Sequence, residues 1–197
     1  MNVSILTFDG FNELDSFISL GILSRIKGTI NIQITSPSEF VTSMNGIKIQ
    51  SQQPIEFANN ADVVLFGSGS LTSDIAQNDE ILSRFNLDPL TQLIGGQCSG
   101  VLLMSELGLL NKMPVSTDST TIPRIVKSGT TVLEQPFYAE GNIATAGGCL
   151  SSQYLATWVI CKILGKEAAK YALGSVAPIS EKESTVDRCF SVIDMYL

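Results

Sequence analysis

The chain has 197 residues, which suits one domain at the upper end of roughly 100–200 residues per domain. Hydrophobic residues make up 44% and charged residues 16%, a composition that excludes a disordered chain. A formal charge of −7 excludes nucleic acid as a partner, and the absence of histidine excludes Cys-His and Ser-His-Asp catalysis together with histidine-ligated metal.

In chain order, residues 3–8 read as a β-rich run that stops at the turn Asp9-Gly10. A helical pattern follows over 14–26, then an alternating strand at 31–35 and a short edge strand around 47–49. Residues 62–66 (Asp-Val-Val-Leu-Phe) form a buried-strand run that breaks at Gly67-Ser68-Gly69-Ser70. Helices are expected from Ser73 and over 79–85, then a strand at 91–94 and an apolar helix at 101–110. Two short strands fall within 132–146, and Gly147-Gly148 opens a long helix over 150–164 that stops at Gly165. A further helix covers 166–173. In the last segment, Val186, Phe190, Ile193 and Leu197 recur at helical spacing, which predicts a C-terminal helical extension over 178–197 packed onto a single domain of 1–197. Strands alternating with helices predict an α/β three-layer sandwich with a mainly parallel central sheet covered on both faces, whose sites lie at the carboxyl ends of its strands.

Between the strand at 91–94 and the helix at 101–110 stands Gly96-x-Cys98-x-Gly100, the thiol form of a nucleophile elbow. A strand-to-helix turn presents the side chain, and the flanking glycines leave room for it. A cysteine at a helix N-terminus faces unpaired N–H groups that favour thiolate. A lone cysteine is otherwise a small buried hydrophobe, and that is the expectation for Cys161, within an apolar helical run, and for Cys149. The four cysteines, Cys98, Cys149, Cys161 and Cys189, match no zinc spacing, and no metal site is expected. The first residues run directly into a strand instead of a charged-then-apolar leader, so the expectation is a cytoplasmic protein with reduced thiols. The longest apolar run, 154–164, is too short and interrupted to cross a bilayer, and no membrane partner is expected.

Four stretches together resemble the ThiJ/PfpI superfamily, which implies the class I glutamine amidotransferase-like, flavodoxin-like scaffold. They are Phe8-Asp9-Gly10-Phe11-Asn12-Glu13-Leu14-Asp15; residues 62–70; Cys98-Ser99-Gly100 followed by Leu107-Gly108-Leu109-Leu110; and residues 141–148. The resemblance runs from Val3 to about Ala172 and is nearest to the isonitrile hydratase branch. It implies Cys98 as nucleophile, Asp15 as the acid of a Leu-Asp pair, and Ser99 as the hydroxyl residue after the cysteine. Gly67-Ser68-Gly69 stands where relatives have Pro-Gly-Gly, and the side chain of Ser68 changes the pocket mouth. Gly69 and Ser99 N–H groups are the expected anion-hole donors. The histidine that relatives often carry about twenty positions past the cysteine is Asp118 here, which disfavours protease-like and amidase-like activity; a carboxylate there would also oppose thiolate formation.

The residues alone leave other roles open. Asp15 would also suit a helix cap, Glu13 is a competing acid aimed elsewhere, Ser99 fits the turn by size, and Asp118 suits a cap for the next helix. The function implied by the resemblance is hydration of an isonitrile or similar small electrophile, a small-molecule substrate, with no cofactor and a homodimeric assembly. The competing class is a redox-sensing or non-catalytic ligand-binding protein in which Cys98 oxidation is the signal. A glyoxalase-like enzyme would need Asp15 or Glu13 as base, and nothing beyond Ala172 is long or basic enough for a helix-turn-helix module.

Overall fold

The computed structural model describes residues 1–197. Seven strands form one sheet: β1 (Asn2–Leu6), β2 (Asn31–Ser36), β5 (Gln53–Pro54), β6 (Val63–Phe66), β7 (Leu93–Gln97), β8 (Phe137–Glu140) and β9 (Ile143–Ala146). Their order is β5-β2-β1-β6-β7-β9-β8, parallel throughout except for β8, which runs antiparallel to β9. A separate antiparallel hairpin joins β3 (Phe40–Thr42) to β4 (Lys48–Gln50), so the segment expected as an edge strand belongs to this hairpin instead of the main sheet.

Each central strand is buried on both faces, which is why β6 reads as an unbroken apolar run. Alternation divides its side chains between two cores. Val63 and Leu65 join Val3 and Ile5 beneath α1 (Glu13–Leu23), α6 (Ser152–Leu164), α7 (Lys166–Gly174) and α8 (Lys182–Ile193), around the fully buried Trp158. Val64 and Phe66 face the other core, with the 3-10 turn Ile55–Asn60, α2 (Thr72–Ile75), α3 (Asp79–Leu82), α4 (Gly100–Glu106) and α5 (Ile122–Lys127). Burial of each such large side chain stabilises the fold by about 1.5–3 kcal/mol. The protein is therefore an α/β three-layer sandwich, as the alternating pattern predicts.

Element ends differ where local chemistry overrides periodicity. The apolar run 101–110 is helical only to Glu106, because the chain turns at Gly108 (φ 68°) and carries Leu109 and Leu110 into the core outside the helix. The long helix begins at Ser152, after a 3-10 turn at Cys149–Ser151. In the C-terminal helix Phe190 and Ile193 are buried, while Leu197 lies beyond its end and is exposed. No helix is long and apolar enough to cross a membrane.

The topology positions the site. Successive connections leave β1 toward β2 on one side and toward β6 on the other, and a crevice opens at the carboxyl ends where the direction reverses. Loops after β1, β6, β7 and β9 meet there, and the β3–β4 hairpin covers them through a Met44 N–H bond to the Phe11 carbonyl (2.9 Å).

Candidate functional site

Cys98 follows β7 with φ 48°, a left-handed conformation that a side chain seldom adopts, and α4 begins two residues later. Strain of this kind persists only when the surroundings enforce it. Here the Cys98 N–H donates to the Ala146 carbonyl (2.8 Å), and the Thr117 hydroxyl donates to the Cys98 carbonyl (2.8 Å). Gly100 is required because a Cβ there would overlap the Phe66 carbonyl and lie 2.8 Å from that of Gly67. The strand, the strained cysteine and the glycine together form the expected elbow.

Asp15, from the first turn of α1, lies behind this cysteine and is only 2% exposed. It does not cap its helix; the Asn12 side chain does, accepting from the Leu14 N–H. A carboxylate oxygen of Asp15, Cys98 Sγ and Cys149 Sγ all lie within 4.8 Å of one another. The Ser68 hydroxyl donates to Asp15 Oδ2, while Oδ1 is buried without a hydrogen-bond partner. Burial first, and then the Asp15 carboxylate, push the Cys98 thiol well above its ordinary range, against a weak contribution from the Gln97 side chain. Burial and the carboxylate thus outweigh the helix end in a balance that the sequence leaves open. A seven-residue helix offers little compensation for desolvation beside a carboxylate.

Cys149, expected to be packing, sits in the cleft. Gln97 Nε2 donates to the Gly148 carbonyl (2.8 Å) and toward Cys98 Sγ (3.5 Å), drawing the loop after β9 against the elbow. Asn12 Nδ2 donates to Cys149 Sγ (3.2 Å). Burial, followed by Asp15, raises this thiol too.

A cleft of about 430 Å³ opens over the two cysteines. Its lining includes Ser68, Gly69, Ser99, Asp118 and Arg124, and few of its residues are hydrophobic. Ser99 links two loops: its hydroxyl accepts from the Gly69 N–H (3.3 Å) and donates to Thr72 Oγ1 (3.0 Å). The Gly69 N–H expected for an anion hole is thus engaged within the protein, and the Gly67 N–H bonds the Leu6 carbonyl (3.1 Å). Asp118 reaches the cleft and also accepts from the N–H groups of Thr120 and Thr121 (2.9 and 3.1 Å) at the entry to α5. Burial pushes its carboxyl up, but hydrogen bonds from Thr120 and Thr121 prevail and hold it below its ordinary value. The carboxylate that opposes a Cys98 thiolate is Asp15. Glu13 turns away, bonded to Ser43 and Asn45 of the covering hairpin, and those bonds lower its pKa.

Sequence reasoning did not assign Cys149, Arg124 or Asn12 to the site. The available signal was the Gly147-Gly148 pair closing a strand, which places the next residue at the same sheet edge as the elbow.

Residues 1–161 match the family model described as the DJ-1/PfpI family. No curated protein matches the sequence. Among solved structures, Schizosaccharomyces pombe DJ-1 superposes with a TM-score of 0.77 at 19% identity, covering 90% of this chain and 100% of that one. A ThiJ/PfpI family protein from Pseudomonas syringae gives 0.78 at 16% identity, covering 98% and 87%. Oxidized Toxoplasma gondii DJ-1 gives 0.75 at 17% identity, covering 89% and 97%. At these identities the likeness is one of fold.

Proposed function

The chain belongs to the DJ-1/PfpI family, and on that premise we propose that it hydrates an isonitrile, or a small electrophile like it, to an N-substituted formamide using Cys98 and Asp15. The observation that carries this reading is the buried Asp15 carboxylate within 4.8 Å of the elbow sulfur.

The thiol is held protonated, so the reaction begins with Asp15 taking the Cys98 proton as the sulfur attacks the terminal carbon. That proton passes to the substrate, giving a thioimidate, R–N=CH–S–Cys98. Asp15 then removes a proton from water as it adds to the same carbon. Asp15 returns that proton to the substrate nitrogen, the carbon–sulfur bond breaks as the new hydroxyl gives its proton to sulfur, and R–NH–CHO leaves. Water is the only co-reactant, and the chemistry calls for no metal or organic cofactor. Asp15 is covered by Cys98, Cys149 and Ser68, so the Ser68 hydroxyl, bonded to it and facing the cleft, is the relay for protons bound for substrate. Ser99, held between Gly69 and Thr72, orients the substrate. Gly67 and Gly69 shape the wall. Asp118 and Arg124 make the rim polar, which favours a substrate with a polar substituent.

The test is formamide release from neutral and carboxylate-bearing isonitriles. Turnover by the native chain should fall by about 10²-fold or more in Asp15→Asn and to background in Cys98→Ala. No formamide from any substrate, with Cys98 still open to alkylation, would sink the assignment. The redox reading would then lead, favoured by the second thiol beside Cys98. Our reading also takes residues 1–197 as one domain acting as a cytoplasmic homodimer; a monomer in light scattering removes the dimer.

A further inference from the structure

We propose that Cys98 and Cys149 are a dithiol that a hydroperoxide converts to a reversible intramolecular disulfide across the floor of the cleft. The two sulfurs come from different strand ends, β7 and β9, yet lie within 4.8 Å of each other and of an Asp15 oxygen. Both line the cleft, so a small oxidant reaches them. The buried Asp15 Oδ1 carries no hydrogen bond, which leaves it free to take a proton.

The chemistry balances with peroxide as the only oxidant. One thiol attacks the peroxide oxygen; the O–O bond breaks, water leaves, and the sulfur becomes a sulfenic acid, Cys–S–OH. Asp15 takes the proton of the second thiol as its sulfur attacks the first, and the S–O bond breaks. The departing hydroxide takes up that proton and leaves as a second water, so two thiols and one peroxide give one disulfide and two waters.

A disulfide needs its sulfurs about 2.05 Å apart, so they must close by about 2.8 Å at most. Closure moves Cys149 Sγ away from Asn12 Nδ2 and shifts the short turn that carries Cys149. Gly148 precedes it at φ 85°, a conformation open to glycine, and Cys149 is the first residue of a three-residue 3-10 turn and is not fully buried. Cys98 is already strained, and disulfides made from strained positions are the readily reduced ones. Burial, and after it Asp15, keeps both thiols protonated, which makes oxidation slow near neutrality and faster as pH rises.

The proposal is independent of the isonitrile reading, because its readout is the mass of the protein and not turnover. Reduced full-length chain is treated with a small excess of hydrogen peroxide, and its intact mass and thiol peptides are followed. The expected product has lost two hydrogens, yields a Cys98–Cys149 cross-linked peptide, and returns to the reduced mass with dithiothreitol. Cys149→Ser and Cys149→Ala should instead gain oxygen on Cys98 and lose the reversible product. Oxygen accumulating on Cys98 in the native chain while Cys149 remains alkylatable overturns the proposal. So does failure of either thiol to react.

Discussion

Two regions of this protein each hold a pair of cysteines, and they differ in everything except residue type. Cys98 and Cys149 stand at the carboxyl ends of β7 and β9, in loops of unusual backbone, beside a buried carboxylate and under an open cleft. Cys161 and Cys189 belong to the regular helices α6 and α8 in an apolar core, where burial raises Cys161 to about 12, aided by nearby Cys189, and raises Cys189 to about 11. Both pairs are held protonated, but the first has a buried carboxylate oxygen within 4.8 Å of its sulfurs. Turnover follows from that acceptor and from access, not from the thiol's resting state.

The sharpest way to break this comparison is to remove the carboxylate. Asp15 carries negative charge that raises Cys98, so Asp15→Asn should lower the thiol pKa and increase the thiolate fraction at fixed pH. Alkylation of Cys98 by iodoacetamide near neutral pH should accelerate about tenfold for each pKa unit recovered. Cys161 and Cys189 should not change. The same variant should have lost turnover, so the two readouts move in opposite directions. A slower Cys98 in Asp15→Asn would show that the carboxylate activates the resting thiol instead of suppressing it.

The backbone half of the comparison is tested at Gly100. A Cβ there collides with the carbonyls of Phe66 and Gly67, which belong to the neighbouring strand end and cannot move as a flexible side chain would. Gly100→Ala should cost about 1–3 kcal/mol, read as a lower urea midpoint, and should leave Cys161 and Cys189 protected in the native state. Ser68→Ala has an effect of similar size through a hydrogen bond. It removes the donor to Asp15 Oδ2 while Oδ1 already lacks a partner, so a stability loss of about 1–3 kcal/mol is expected, with kcat falling more than KM rises.

The elbow and the parallel sheet were legible because their signals are local: a glycine-flanked cysteine after an apolar run, and strands alternating with helices. Asp15 became legible through resemblance, since on residues alone it read more readily as a cap. Cys149 was not legible, because its place depends on β9 lying directly beside β7, where Gln97 pairs with Ala146. Two short strands in sequence do not reveal which neighbour each will take. Arg124 was hidden for a related reason, lying on a six-residue helix too short to show periodicity. The donor role of Gly69 could not be judged without knowing that the Ser99 hydroxyl already takes its N–H. The direction of the Cys98 shift stayed open in the sequence, where a helix end and a nearby acid pull in opposite directions and the deciding desolvation is not visible.

The smallest expected effect concerns the helical pair and its pH dependence. Unfolded thiols lose their protons near an ordinary value of 9.0, whereas folded Cys189 and Cys161 hold theirs to about 11 and about 12. Below the unfolded value both states keep the protons, and these groups leave stability independent of pH. Above it the unfolded state binds fewer protons than the native state, so stability falls as pH rises, and the loss accumulates until the folded thiols ionise. Urea midpoints should therefore decline from about pH 9 upward, and the Cys161→Ala, Cys189→Ala double variant should decline less steeply while starting from a lower value near neutrality. Cys98 contributes in the same direction and remains in the double variant, so some slope must survive. A double variant as steep as the native chain would mean that the helical thiols ionise in place without opening the core, and the two regions would then differ in access alone.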